Sequence, residues 1–189
     1  MTGLATRHQL LGISGSLRAG AYSTAVLRAL AAAVAPQAEM DYADIGAVPH
    51  FNQDLYVDPL PPAAERLRRQ IATCDGIVIS SSEYNHGIPG VLKNALDWAS
   101  RPHNGSPLRG KPVLIVTSSA ASTGGVRAQY QIRETVSSAL ARPVPTPEIV
   151  VGLVHQKIAD GVFQDPATIE FARAGLAAMF EEIARGRAG

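Results

Sequence analysis

Short apolar runs alternate with amphipathic helical periods along this chain, and that alternation limits its fold more than any other feature. Strand-like runs are predicted at 9–14, 39–44, 75–80, 111–118 and 148–151, and helical periods at 23–34, 63–72, 90–100, 126–140 and 166–185. The runs at 77–79 and 113–116 contain no polar residue, which is typical of strands buried on both faces. The alternation therefore predicts an α/β fold, a parallel sheet with helices on its two faces.

The connections between the runs restrict the order of the strands. Right-handed crossovers leave few arrangements, and a doubly wound five-stranded parallel sheet of flavodoxin type, with order 2-1-3-4-5, fits the pattern best. A chain of 189 residues suffices for one such unit, so we expect residues 1–189 to form a single domain. Ligands of these folds bind at the carboxyl ends of the strands, and the loops after strands one, three and four are the expected site.

Composition argues against several classes of partner. The formal net charge is +1, which gives no reason to expect nucleic acid or an anionic membrane surface. No stretch approaches the roughly 20 apolar residues that span a bilayer, and the polar start of the chain is unlike a secretory signal. With one cysteine and five scattered histidines, neither a disulfide nor a metal site is expected. A cytoplasmic location is the simplest expectation.

The loop after the first predicted strand has the composition of a phosphate site. Residues 12–18 read Gly-Ile-Ser-Gly-Ser-Leu-Arg, and a helix is expected to start near Ser23. Ser16 offers a hydroxyl, Arg18 a charge-assisted contact, and the helix start a favourable dipole. The dinucleotide fingerprint and the Walker motif are both absent. A plain strand-to-helix turn capped by Ser23 remains the alternative interpretation.

The loops after strands three and four could hold a flat heteroaromatic ring. Tyr84 and Asn85 supply an aromatic face and an amide, while Glu83 and His86 are either an acid–base pair or surface residues. After the fourth strand, residues 117–125 are small enough for close approach to a ring. Arg127 opens the next helix and is expected either to pair with an acidic group, such as Glu83 or one from another subunit, or to be solvated.

Taken together, these motifs resemble a known family. The markers are Gly15-Ser16-Leu17-Arg18, Asn52-Gln53-Asp54, Glu83-Tyr84-Asn85, Pro89-Gly90, Leu92-Lys93-Asn94-Ala95, Asp97-Trp98, Gly110-Lys111-Pro112 and Gly124-Gly125 with Arg127 and Gln129. Over nearly its whole length the chain resembles the NAD(P)H-dependent FMN reductases of the flavodoxin-like superfamily, which include quinone, azo-compound and chromate reductases.

The resemblance implies a set of cofactor-binding residues. Those expected to hold the FMN phosphate are Ser16, Arg18, Tyr22, Ser23 and Thr24; those expected nearer the ribityl and ring are Ser82, Glu83, Tyr84, Asn85 and Ser118. The sequence departs from the family in two places. Residues 20–23 read Gly-Ala-Tyr-Ser where Gly-Ser-aromatic-Asn is usual, and Ser82 stands where proline is usual. The loop that binds the phosphate is therefore expected to offer fewer hydrogen-bonding side chains than in relatives.

The resemblance also implies an activity. It predicts an FMN-dependent oxidoreductase that takes hydride from NADPH or NADH and reduces flavin, quinone or similar small acceptors by a ping-pong mechanism. No side chain is expected to be catalytic, because flavin N5 carries the hydride, and backbone N–H groups at 84–85 are candidates to stabilise its charge. Arg18 and Arg127 are candidate contacts for a 2′-phosphate. The alternative is a non-catalytic electron carrier or FMN-binding module. A homodimer or homotetramer is expected.

Overall fold

The computed structural model describes residues 7–188. Its strands are β1 (His8–Ser14), β2 (Ala38–Tyr42), β3 (Gly76–Ser82), β4 (Pro112–Ser118), β5 (Arg142–Pro143), β6 (Ile149–Val151), β7 (Ile158–Ala159) and β8 (Val162–Phe163). Its helices are α1 (Tyr22–Val34), α2 (Pro62–Thr73), α3 (Gly90–Ala99), α4 (Val126–Ser138) and α5 (Pro166–Ala188). Within residues 7–188, no helix has both the length and the apolar character that crossing a membrane requires.

The main sheet is parallel. Its order is β2-β1-β3-β4, and the fifth position is shared by β5 and β6, which both pair with β4. In the central register Ile13 lies beside Ile79, and Ile79 lies beside Ile115. The predicted α/β class and the order 2-1-3-4-5 are therefore confirmed.

Prolines account for the divided fifth strand. The sequence predicts one strand at 148–151, which corresponds to β6, but the short segment β5 precedes it on the same edge. Pro143, Pro145 and Pro147 alternate through the connecting stretch. Because proline has no N–H to donate, these residues cannot continue the ladder along β4. Pairing stops after β5 and resumes at β6.

Apolar side chains cover both faces of the sheet. Successive strand residues point to opposite faces, so Ile79 packs into the layer formed with α2, α3 and α4, whereas Val78 packs into the layer formed with α1 and α5. Trp98 of α3 belongs to the first layer, and Leu27 of α1 and Leu176 of α5 belong to the second. Helices on both faces leave only the strand ends open to a ligand.

The long connection between β2 and α2 is fastened to α3 by two polar side chains. The Asn94 side chain accepts a hydrogen bond from Phe51 N at 2.7 Å and donates one to Pro49 O at 2.9 Å. Trp98 Nε1 donates to the same Pro49 oxygen at 2.8 Å, and its ring meets that of Phe51 edge-on at 5.1 Å. Trp98 therefore acts as both a core residue and an anchor for this connection.

Replacing Trp98 should destabilise the fold severely. The side chain is fully buried, so Trp98→Ala leaves a large cavity and also strips Pro49 O of a donor. We expect a loss of about 3–5 kcal/mol in the free energy of unfolding. Denaturant titration followed by far-ultraviolet circular dichroism measures it. Val162→Ala, at a side chain that is 56% exposed, is the control and should change stability little. A loss as small as that of the control would contradict this role for Trp98.

Candidate active site

A cavity of about 330 Å³ opens at the carboxyl ends of β1, β3 and β4, and we call it the switch-point cavity. Its volume is in the range of small-molecule sites, roughly 300–1,000 Å³. Its lining consists of Ser16, Arg18, Ala21, Tyr22, Ser23, Ser82, Glu83, Tyr84, Ser118, Ser119 and Ala120. Eight of the ten residues predicted from the sequence are among these. The structure places the other two, Thr24 and Asn85, outside the lining.

Three lining residues, Ala21, Ser119 and Ala120, are not among the ten predicted from the sequence. All three are small, and a small side chain gives little chemical signal in a sequence, because it contributes space or backbone groups. Ser119 and Ala120 belong to the loop 117–125, whose small residues predicted close approach to a ring, and Ala21 is adjacent to the predicted residue Tyr22.

The N-terminus of α1 faces the switch-point cavity without a cap. The helix begins at Tyr22, and neither Ala21 nor an acidic residue in the first turn offers its free N–H groups an acceptor. The interpretation of Ser23 as a capping residue is therefore wrong: Ser23 lies inside the first turn, and its Oγ is 3.0 Å from Ser14 Oγ. An uncapped helix start of this kind favours an anion.

The loop after β1 is supported by hydrogen bonds among the hydroxyl groups of Ser14, Ser23 and Thr24. Ser14 Oγ lies 2.8 Å from Thr24 Oγ1 in addition to its contact with Ser23, so Thr24 supports the loop from below. The loop also lies close against β3, because Gly15 N donates to Ser80 O at 2.8 Å. A Cβ at Gly15 would stand 2.3 Å from Ser81 Oγ, which only glycine avoids.

Arg18 is positioned by an aromatic ring. Its guanidinium lies over the Tyr22 ring at 4.8 Å from the ring centre, a cation–π arrangement. Within residues 7–188 it forms no ion pair with an acidic side chain. Its charge and its N–H donors are therefore available to an anionic ligand at the mouth of the cavity.

The loop after β3 closes in a tight turn. Tyr84 and Gly87 exchange two backbone hydrogen bonds of 3.0 Å each, and the residues between them, Asn85 and His86, both have positive φ. Positive φ at both central positions is the signature of a type I′ turn, which asparagine tolerates well. The expectation that Tyr84 N–H is free for a ligand is therefore wrong, because that group already donates to Gly87 O.

Glu83 holds this loop against α4. Its Oε2 accepts hydrogen bonds from the backbone N–H groups of Arg127 at 2.9 Å and Ala128 at 3.1 Å, and its Oε1 lies 3.8 Å from Arg127 Nη1. One turn further on, the side chain of Gln131 accepts a bond from Ile88 N at 2.7 Å. The expected Glu83–Arg127 pair is present, and the carboxylate is committed to capping α4 rather than to His86.

Tyr84 projects to the mouth of the cavity, with 55% of its surface exposed. Hydrogen bonding with the Ser82 side chain, and next with that of Ser16, lowers the pKa of the Tyr84 phenol from its ordinary value of 10.0. Partial burial opposes this shift in pKa, and the positive charge of Arg18 supports it. The phenol is thus a hydrogen-bonding group at the one edge of the cavity that solvent reaches.

Ser118 presents a polar group with nothing to bind. The residue is 1% exposed and lines the cavity, yet no described side chain or backbone group pairs with its Oγ. The loop that follows is fixed by backbone bonds, because Ser119 N donates to Val151 O and Val154 N donates to Ser119 O, both at 3.0 Å. A buried hydroxyl without a partner is costly, so Ser118 is suited to a ligand with a polar edge.

Comparison with known proteins agrees with this geometry. Residues 9–156 match the sequence profile described as NADPH-dependent FMN reductase. The chain belongs to the NADPH-dependent FMN reductase family. An NAD(P)H-dependent FMN reductase of Pseudomonas aeruginosa is 43% identical over 143 residues, which is 76% of this chain and 77% of that protein. A quinone reductase of Escherichia coli is 36% identical over 181 residues, 94% of this chain and 96% of its own.

The fold comparison points the same way. The flavoenzyme NAD(P)H:(acceptor) oxidoreductase FerB of Paracoccus denitrificans superposes with a TM-score of 0.85 at 27% identity, covering 95% of this chain and 98% of that one. The resemblance stated from the motifs is therefore confirmed. This member of the FMN reductase family is an NAD(P)H-dependent oxidoreductase, as expected from its sequence.

The described residues fit the FMN that the family implies. The switch-point cavity offers an uncapped helix start, a free guanidinium and serine hydroxyls, which suit a phosphate monoester. It also offers the unpaired hydroxyl of Ser118 and the exposed ring of Tyr84, which suit a flat ring with polar edges. Because all of these residues line one cavity, a single ligand can contact both sets.

Removing the carboxylate that caps α4 should cost stability. In Glu83→Ala, the N–H groups of Arg127 and Ala128 lose their acceptor, and we expect a loss of about 1–2 kcal/mol in the free energy of unfolding. Glu83→Gln keeps an acceptor oxygen and should lose less. Arg127→Ala removes only a half-exposed ion pair and should cost about 0–1 kcal/mol. Equal losses in Glu83→Ala and Arg127→Ala would contradict the capping role.

The lowered pKa of Tyr84 should be visible in an alkaline titration of phenolate absorbance on flavin-free protein. Tyr84→Phe should remove a component that ionises below pH 10, and Ser82→Ala should move that component to higher pH. Because the folded chain gives up this proton at lower pH than the unfolded chain, the contribution of Tyr84 to stability should grow as pH rises through this window. Tyr42→Phe is the matched control, since burial raises the pKa of Tyr42. An unchanged early component in Tyr84→Phe would refute the assignment.

Proposed function

We propose that this protein reduces quinones or similar small acceptors at the expense of NAD(P)H, using FMN held in the switch-point cavity. The observation that supports it is the pairing, in one cavity, of an uncapped α1 N-terminus beside Arg18 with the unpaired Ser118 hydroxyl. When bound, FMN would supply the redox chemistry, which is to accept a hydride from NAD(P)H and pass two electrons to the acceptor. The chain's own residues bind the cofactor, orient it and restrict access to one face.

The phosphate end of the cofactor is assigned to the loop after β1. The Ser16 hydroxyl and the first-turn N–H groups of α1 would donate hydrogen bonds to phosphate oxygens, and Arg18 would supply the opposite charge. Tyr22 contributes by holding the guanidinium over its ring. Ser23 and Thr24 both bond to Ser14, but only Ser23 lines the cavity, so Ser23 would reach the phosphate and Thr24 acts indirectly.

The ring end is assigned to the loops after β3 and β4. Ser82 and Ser118 offer hydroxyls, and Tyr84 offers a ring and a phenol at the mouth of the cavity. These donors suit the carbonyl edge of the ring, where negative charge grows on reduction. Asn85 acts indirectly, because it lies outside the cavity lining and shapes the turn with its positive φ. Glu83 is a positioning residue in this scheme, since its carboxylate fastens the loop to α4.

Cellular location and assembly complete the proposal. We place the enzyme in the cytoplasm, as one flavin-binding domain per chain, and assign it a homodimeric or homotetrameric state. Several large apolar side chains are exposed, among them Tyr84 at 55%, Tyr130 at 59% and Val57 at 60%. Covering such side chains in an interface is what would favour an assembly of several copies of the chain. Light scattering on the purified protein measures the mass of the assembly.

Replacing Arg18 should weaken FMN binding. Arg18→Ala removes a charge-assisted hydrogen bond, and we expect a loss of about 1.5–3 kcal/mol, roughly 10- to 150-fold in Kd. Quenching of free-flavin fluorescence by the apoprotein measures the affinity. Arg66→Ala removes an exposed arginine of α2, distant from the cavity lining, and should bind FMN as the wild type does. An Arg18→Ala protein with wild-type affinity would remove Arg18 from the site.

We expect the nicotinamide donor and the electron acceptor to use the switch-point cavity in turn, because a bound flavin would present one open ring face to both. Initial velocities at several fixed acceptor concentrations should give parallel double-reciprocal lines against NAD(P)H. The measurement follows NADPH absorbance with a small quinone as acceptor. Intersecting lines would contradict alternation. A yellow, FMN-loaded protein that does not oxidise NADPH or NADH with any quinone would overturn the proposed function.

A further inference from the structure

We propose that a second cavity beside the phosphate loop binds the adenosine 2′-phosphate end of NADPH. This inference rests on the proposed function, in which the pyridine nucleotide is the hydride donor. The cavity, which we call the side cavity, has a volume of about 380 Å³ and lies between α1 and the carboxyl ends of β1 and β2. Its polar lining consists of Ser14, Ser16, Arg18, Thr24, Arg28 and Tyr42, with Asp44 at its rim.

The place of the side cavity in the sheet suits a nucleotide. Gly12 of β1 pairs in register with Tyr42 of β2, and Ala43 N continues the ladder with a 3.0 Å bond to Gly12 O. Asp44 therefore follows the end of the strand adjacent to β1. In dinucleotide folds an acidic residue near this position accepts a hydrogen bond from the ribose 2′-hydroxyl of NAD, whereas an arginine accommodates the 2′-phosphate of NADP. Arg28 supplies the second of these groups here, and Asp44 can accept a hydrogen bond only from the ribose 3′-hydroxyl, which a 2′-phosphate leaves free. The Gly-x-Gly-x-x-Gly loop is absent from the sequence.

The chemistry of the lining matches the same ligand. Arg28 is exposed on α1 and forms no ion pair with a described acidic side chain. Asp44 spends Oδ1 on Gly46 N at 3.1 Å, and within residues 7–188 nothing donates to its Oδ2. The Tyr42 ring is 42% exposed and offers a flat surface for a purine. Arg28 thus offers a cation to the 2′-phosphate, Tyr42 offers a flat surface to the purine, and Asp44 offers an acceptor to the ribose 3′-hydroxyl.

The two cavities share a wall. Ser16 and Arg18 line both the switch-point cavity and the side cavity. A dinucleotide whose nicotinamide enters the switch-point cavity can therefore extend past the phosphate loop and place its adenosine in the side cavity. Arg28 is then the residue that distinguishes NADPH from NADH, because only the former carries a phosphate on the adenosine ribose.

The test uses the FMN-loaded enzyme, so that the flavin phosphate site is filled. Isothermal titration calorimetry with adenosine 2′,5′-bisphosphate should show binding to the wild type that Arg28→Gln weakens by about tenfold or more. In steady state, Arg28→Gln should raise the KM for NADPH by a similar factor, while kcat, the KM for NADH and FMN content stay near wild type. Arg28→Lys should recover part of the loss. Arg66→Gln, an exposed arginine of α2 outside both cavities, is the matched control.

The outcomes separate this inference from the proposed function. If Arg28→Gln binds the bisphosphate as tightly as the wild type, or if the KM values for NADPH and NADH rise equally, the side cavity is not the adenosine site. That result would leave the reductase activity standing. If the wild type binds the bisphosphate and Arg28→Gln does not, yet neither oxidises NADPH, the site stands and the proposed function fails.

Discussion

The parallel pairing of β1, β3 and β4 is the constraint on which the rest of the molecule depends. Because these strands are parallel and in register, their carboxyl ends come together at one edge of the sheet. Helices cover both faces, so the loops that follow these strands meet at that edge rather than on the faces of the sheet. A phosphate loop, a tyrosine-bearing turn and a buried serine, distant in sequence, become neighbours for this reason alone.

Of the helices that start at this edge, α1 and α4 have oppositely treated N-termini. The N-terminus of α4 is satisfied internally by the Glu83 carboxylate, whereas the N-terminus of α1 is left without an acidic or capping partner. The first arrangement uses helix polarity to hold a loop in place, and the second keeps it available to an anion. Glu83, a candidate acid–base residue in the sequence, therefore has a structural role, because its carboxylate caps α4. Contact with a ligand is left to the neutral side chains that line the cavity beside it.

The sequence was sufficient for the fold and for most of the site, and its shortcomings have physical causes. Uninterrupted runs such as 113–116 determine a strand wherever they occur, because only a buried position tolerates them. Alternating prolines after residue 142 concealed β5, since local pattern does not show which edge a short segment will reach. Thr24 is adjacent to Ser23 in sequence, yet its hydroxyl bonds to Ser14 and lies outside the switch-point cavity. Tertiary packing decides which hydroxyl groups face a ligand, and this information cannot be read from the local sequence.

The prolines that divide the fifth strand also affect whether the sheet can pair with a strand from another molecule. An open sheet edge with a long row of free N–H and C=O groups invites a strand from another molecule, which is the first step toward aggregation. Here the outer edge beyond β4 consists of a two-residue segment and a three-residue segment separated by prolines. Neither piece is long enough to act as a template, and the prolines between them have no N–H to offer. The prolines that make β5 hard to predict from sequence therefore also prevent strands of other molecules from pairing along this edge.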